Sequence, residues 1–100
     1  MAALRPPALD VAIRGPIRRA DLAGLSERVC AALQASPAAV VRCDVAGVEP
    51  DAVTVDALAR LQLAARRLGR RVRLCNASAE LLQVVAFMGL DDVLPDEPAS

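Results

Sequence analysis

The residues of this sequence that could carry chemistry are few, and they begin with three cysteines. Cys30, Cys43 and Cys75 fit neither a CxxC pattern nor the spacing of a zinc site, and their odd number does not suit a disulfide framework. The chain has no histidine, which removes the commonest general base and the commonest zinc ligand. We therefore expect no enzyme activity, no metal or other cofactor, and three reduced thiols.

A carboxylate and a hydroxyl lie close together at a predicted helix start, in the segment Asp51-Ala52-Val53-Thr54. The free N–H groups of a helix N-terminus favour anionic groups and hydroxyl caps, and capping the helix is the ordinary role for a threonine such as Thr54 at this place. Asp51 is a candidate for orienting a partner, and an aspartate at this place more often caps the helix.

Arginine is concentrated late in the chain, where residues 60–73 hold six arginines and no acidic residue. Such a run is either a basic docking patch or, as we favour, a solvated helix face followed by the exposed side of a strand. Four acidic residues that follow are placed to pair with it, namely Asp91, Asp92, Asp96 and Glu97.

The overall composition excludes several functions. Twelve arginines, with no lysine, balance twelve acidic residues, and a net charge of zero argues against a nucleic-acid binder. Phe87 is the only aromatic residue, which excludes base stacking on aromatic side chains. No apolar run approaches the roughly 20 residues that cross a bilayer, and the first residues lack a signal-peptide core. We expect a cytoplasmic protein with the residue bias of a GC-rich bacterial gene.

Three short segments have the composition of β-strands, at residues 9–13, 39–45 and 71–74, with residues 93–94 as a candidate fourth. The second is rich in β-branched residues, which predicts a central strand buried on both faces. Between the strands, apolar residues recur at spacings of three and four, which is typical of amphipathic helices. These helices run from about residue 21 to 33, from 51 or 54 to 68, and from 78 to 88, with Gly69 and Gly89 as C-caps.

The order of these elements predicts an α/β fold with a mostly parallel central sheet and about three helices packed on it. We expect a single domain over residues 8–95, with flexible ends at residues 1–7 and 96–100.

Four segments from residue 40 onward resemble STAS domains. Residues 40–48 (VVRCDVAGV) look like the family's apolar strand that ends in Asp-Leu-Ser-Gly-Val, and residues 55–61 are similar to the helix that follows it. Residues 68–74 resemble the strand led by Gly-Arg-Arg, and residues 89–94 match the closing Gly-Leu-Asp-Asp-Val-Leu. The resemblance covers roughly residues 9–94.

This resemblance implies a protein-binding regulatory domain similar to the bacterial anti-sigma factor antagonists. These proteins capture an anti-sigma factor kinase, which releases itself by phosphorylating a Ser or Thr at the start of the second helix. Here the family's Asp-Ser-Ser-Gly or Asp-Ser-Thr-Gly reads Asp51-Ala52-Val53-Thr54, so the acceptor position is Ala52 or, if shifted, Thr54. We therefore expect binding without the usual phosphoserine switch.

The resemblance also supplies an alternative function, because the family includes a cytoplasmic subunit of phospholipid ABC transporters. The chain would then be an accessory subunit of such a transporter or of another complex. For the antagonist-like protein the docking face is expected at Gly47, Asp51, Thr54 and Asp56, with Asp21 from the first helix. The sequence leaves open whether the domain is a monomer or a homodimer.

Overall fold

Strands and helices alternate along the chain, as the sequence periodicity predicts. The structure, a computed structural model, describes residues 8–15 and 17–96. The strands are β1 (Ala8–Gly15), β2 (Val40–Val48) and β3 (Arg71–Cys75). The helices are α1 (Leu22–Gln34), α2 (Ala52–Arg67) and α3 (Ala79–Phe87), and a short 3₁₀ turn, Arg19–Asp21, precedes α1.

The three strands form a parallel sheet in the order β1-β2-β3. Val41 of β2 lies beside Leu9 of β1 and Val72 of β3, which fixes the register across the sheet. The predicted α/β class is confirmed, and so is the central position of the second strand.

The prediction that this central strand is buried on both faces is wrong. Val41, Cys43 and Val45 are buried in the same core as the apolar faces of the three helices, whereas Arg42 on the opposite face is exposed. Arg42 lies 3.5 Å from the carboxylate of Asp10 on β1. The helices therefore cover one face of the sheet, and the other face carries polar and charged side chains.

A bulge interrupts the pairing of β1 and β2 near the carboxyl end of the sheet. Ala12 lies beside Asp44, but Arg14 lies beside Gly47, so the additional residue belongs to β2. The Asp44 side chain accepts a hydrogen bond from the N–H of Ala46 at 3.0 Å inside this bulge. β1 itself keeps its regular alternation.

The helix ends follow the predicted capping residues. Gly69 and Gly89 have φ angles of +72° and +71°, a conformation that glycine adopts without strain. After α3, the N–H of Leu90 donates to the carbonyl of Val85 at 2.9 Å, which is the long bond of a Schellman motif. The Ser78 side chain caps the start of α3, as predicted.

The predicted fourth strand at residues 93–94 is not formed. The N–H groups of Val93 and Leu94 both donate to the carbonyl of Leu90, which makes a turn and buries Leu94. Asp96 then makes a single parallel bridge with Leu74 of β3. Residues 1–7 and 97–100, for which flexibility is expected, lie outside the described residues.

Candidate functional site

The start of α2 is built around the carboxylate of Asp51. This residue has extended backbone angles, and its Oδ1 accepts a hydrogen bond from the N–H of Thr54 at 2.8 Å. Asp51 is therefore the N-cap, and Thr54 is the third helical residue. Ala52, the first helical residue, is exposed and carries no hydroxyl.

The hydroxyl at this helix start is Thr54 Oγ1, and it is completely buried. Thr54 has 0% of its surface exposed, and Oγ1 has no hydrogen-bond partner among the described residues. A kinase therefore cannot reach this hydroxyl unless the helix start opens. The exposed position lacks a hydroxyl, and the hydroxyl lies at a buried position.

Asp56 lies one turn further along α2, on its outer face, and lines a surface cleft of about 550 Å³. Its carboxylate accepts a hydrogen bond from Arg60 Nε at 2.9 Å, which is the i,i+4 pair expected from the sequence. The other side of this cleft, which we call the α2 cleft, belongs to the 3₁₀ turn, the first residue of α1 and the end of α3. Its remaining lining residues are Arg19, Leu22, Ala52, Val53 and Met88.

Two large apolar side chains at the end of α3 are exposed, and one of them, Met88, lines the α2 cleft. Phe87 has 91% of its surface exposed, and Met88 has 37%. The helical spacing of Leu81, Val84, Val85 and Met88 predicts that Met88 belongs to the buried stripe of α3, and Phe87 falls outside that spacing. The available signal was that the only aromatic residue of the chain falls outside that stripe.

The two other residues expected at the docking face lie elsewhere. A Cβ atom on Gly47 would lie 3.5 Å from Arg14 Cγ, so Gly47 lies against the end of β1. The Asp21 carboxylate accepts a hydrogen bond from the N–H of Arg18 at 3.1 Å and lines a groove between β1 and α1. Of the five expected residues, Asp56 alone lines the α2 cleft, although Asp51 and Thr54 hold its helix start in place.

Four of the six arginines of residues 60–73 line one cleft, and Arg60 lies apart from them, on the α2 cleft. Arg60 pairs with Asp56, whereas Nη1 of Arg70 donates to three carbonyls at the end of α1 and in the loop after it, those of Leu33, Ser36 and Ala38, at 3.1, 3.0 and 2.7 Å. Arg66, Arg70, Arg71 and Arg73 line a second cleft of about 440 Å³, together with Asp92.

The three cysteines are not joined in disulfides. Cys43 is buried, and this burial raises the pKa of its thiol to about 12, with nearby Cys75 as the smaller cause. Cys43 therefore stays protonated and unreactive at neutral pH. Across residues 8–15 and 17–96, no cluster of three or more His, Cys, Asp or Glu side chains is arranged to hold a metal ion.

None of the helices in the described part of the chain is long and apolar enough to cross a membrane.

The comparison with known families covers nearly the whole sequence. Residues 2–95 match the family model described as "Mlab, STAS domain". The chain belongs to the STAS family. A search of curated proteins found no match to this STAS domain.

Two solved structures show the same fold as this STAS domain. The first, titled "Structure of the Anti-Sigma Factor Antagonist SpoIIAA in its Unphosphorylated Form", has a TM-score of 0.66 and 12% identity, and the match covers 97% of this chain and 85% of that one. The second is a sulfate transporter family protein from Wolinella succinogenes, with a TM-score of 0.63, 22% identity, and coverage of 91% and 75%. The STAS fold is thus similar to that of a regulatory antagonist and to that of a transporter-family protein.

Proposed function

We propose that this STAS domain is a non-enzymatic regulatory module that binds a cytoplasmic protein through the α2 cleft. The partner is an anti-sigma factor or a related kinase-type protein, as for the antagonist whose fold it shares. The observation that carries the proposal is the exposed Met88 side chain in the cleft at the start of α2, with the exposed Phe87 next to it in the sequence.

The chemistry of the α2 cleft suits a protein surface better than a small molecule. The cleft is open, it has an apolar lining from Leu22, Val53 and Met88, and its polar groups are charged side chains at its edge. Exposed aromatic and methionine side chains of this kind are enriched at the centres of protein interfaces. The charged pair of Asp56 and Arg60 then lies at the rim, where it contributes mainly to specificity.

We further propose that binding is constitutive or is controlled away from the start of α2. The buried Thr54 hydroxyl and the missing hydroxyl at Ala52 support this proposal, because neither residue offers an accessible acceptor. The same observation favours a second candidate function, a fixed accessory subunit of an ABC-type lipid transporter or another complex, since such a subunit needs no release step.

Two matched variants test whether the α2 cleft is the docking face. Ala52 and Ala79 are both exposed alanines at the first position of a helix, in α2 and α3 respectively. Ala52→Glu and Ala79→Glu each add a carboxylate to a first helical turn, where it favours folding. Only Ala52→Glu places that charge in the α2 cleft.

The measurement is an affinity pull-down from the native cell, read by mass spectrometry, followed by titration of the purified partner. We expect Ala52→Glu to weaken binding by about tenfold or more and Ala79→Glu to leave it unchanged. Retention of an anti-sigma factor supports the regulatory function, and retention of a transporter ATPase supports the accessory subunit. Equal affinities for the two variants would place the docking face elsewhere.

A further inference from the structure

The described residues outside the sheet form hydrogen bonds with the backbone at one edge of the sheet, β3, but not at the other edge, β1. At β3, the side chain of Gln62 bonds to the backbone of Val72, and the carbonyl of Pro95 accepts from the N–H of Leu74. At β1, no described residue other than those of β2 pairs with the backbone. An unpaired strand edge is a template for another strand, and this edge of β1, which none of the residues 17–96 outside β2 covers, can accept one.

A groove of about 810 Å³ follows this open edge, between β1 and α1. Its apolar lining comes from Ile13, Ile17 and Leu25, and small residues line the opposite side, namely Ala20 of the 3₁₀ turn and Gly24 of α1. A Cβ atom on Gly24 would have no heavy atom within 4 Å outside its own helix neighbourhood. The groove therefore has room for side chains of an added strand on the core side of the sheet.

We propose that a second copy of this chain occupies the edge, with the two β1 strands pairing antiparallel about a two-fold axis at Ala12. A two-fold axis perpendicular to the sheet makes two identical edge strands antiparallel, and it closes the assembly at two copies. In this register, residue numbers that face one another add up to 24, so Ala12 lies opposite its own copy. The two sheets join into one sheet of six strands.

The charges of β1 fit this register. Asp10 of one copy lies opposite Arg14 of the other, and the two-fold axis makes this contact twice. Asp10 and Arg14 are both exposed, and they project from the same face as Arg42, which already lies 3.5 Å from Asp10. Opposite charges that face each other across antiparallel strands stabilise the pair.

The apolar residues of β1 fit it as well. Val11 of one copy lies opposite Ile13 of the other, on the core side, where the groove is. Leu9 and Val11 are only partly buried in the single chain, although they pack against its core. Pairing removes their remaining apolar surface from water, which favours association.

Charge exchange tests the proposal on the full chain by sedimentation equilibrium over a concentration series. Asp10→Arg and Arg14→Asp each put like charges opposite each other, and we expect each to raise the dimer dissociation constant about tenfold or more. The double variant restores the complementary pairs and the dimer. A mixture of the two single variants also pairs opposite charges at both contacts, so it forms a mixed dimer.

A cysteine placed at the axis gives a second measurement that does not depend on the charges. Residues directly opposite in antiparallel strands have Cα atoms about 5 Å apart, which suits a disulfide. Ala12→Cys should therefore form an intermolecular disulfide on mild oxidation. Ala8→Cys, exposed on the same strand, is the control, because its two copies would be about 26 Å apart.

Three results would overturn the proposal. One is a chain that stays monomeric throughout the series, and another is a dimer that the charge exchange does not weaken and restore. The third is equal disulfide formation at positions 8 and 12. A β1 edge that takes a strand of a different protein would give the first of these results.

Discussion

The side-chain amide of Gln62 forms with the backbone of Val72 the two hydrogen bonds that a neighbouring strand would form. Gln62 Oε1 accepts from the N–H of Val72 at 2.8 Å, and Nε2 donates to the Val72 carbonyl at 3.0 Å. Nε2 also donates to the carbonyl of Val93 at 2.7 Å, so one buried side chain joins α2, β3 and the last turn of the domain.

Gln62→Leu should destabilise the domain strongly. The substitution leaves the N–H and carbonyl of Val72 without these partners in a buried place, at a cost of about 3 kcal/mol in the free energy of unfolding. Chemical denaturation measures this cost. Gln83→Leu changes an exposed glutamine on α3 and is the matched control, expected within about 0.5 kcal/mol of the native chain. A similar loss in both variants would contradict the role given to Gln62.

Arg70→Met should also destabilise the domain, by about 2 kcal/mol in the free energy of unfolding. The substitution removes the hydrogen bonds that Nη1 of Arg70 donates to three backbone carbonyls at and after the end of α1. Arg71→Met, at an exposed neighbour, should leave the free energy of unfolding nearly unchanged. If Arg71→Met costs as much as Arg70→Met, the loss comes from charge and not from these hydrogen bonds.

Thr54→Val should stabilise the domain by about 1 kcal/mol. The two side chains have nearly the same shape, and the substitution removes a buried hydroxyl that has no partner among the described residues. Thermal unfolding measures the gain, and partner affinity should not change. A loss of stability would show that the hydroxyl is bonded in solution, and a phosphorylated fraction at Thr54 in protein from its own cells would show that the helix start opens.

Stability should fall at alkaline pH because of Cys43. Its thiol has a pKa of about 12 when folded and about 9 when free, so the folded chain holds this proton more tightly. The resulting stabilisation is complete below pH 9 and is lost as the pH rises toward 12, at up to about 1.4 kcal/mol per pH unit. The chain has no lysine or tyrosine, so few other side chains titrate in this range. Cys43→Ala should flatten the slope, and an unchanged slope would contradict this assignment.

Local signals in the sequence predicted most of the fold. Gly69, Gly89 and Ser78 end or begin helices where they were expected to, since capping depends on the residue and its immediate neighbours. Burial of both faces of β2 was predicted wrongly. Arg42 and Asp44 show the alternation of polar and apolar residues that a strand with one exposed face has, but the apolar residues Val40 and Ala46 on that same face make the alternation hard to recognise. Which face a helix covers depends on the whole chain.

The candidate site was harder to predict than the fold. Asp51 and Thr54 were correctly placed at the start of α2, but the burial of Thr54 depends on how that turn packs into the core. Phe87 and Arg19 lie on elements distant in sequence from α2, and no local pattern connects them to it. Asp21 and Gly47 were assigned to one docking face by position, and packing separates them.

The closing of the β3 edge by Pro95 has a consequence for synthesis on the ribosome. The strands are synthesised in the same order in which they lie in the sheet. Leu94, which is buried in the core, and Pro95, which pairs with Leu74, are synthesised after all three strands. A nascent chain that has not yet released these residues from the exit tunnel presents an unfinished strand edge at Leu74. Unpaired edges of this kind are where aggregation begins. Slow translation of the codons that follow Pro95 would therefore prolong the period in which the nascent domain depends on chaperones.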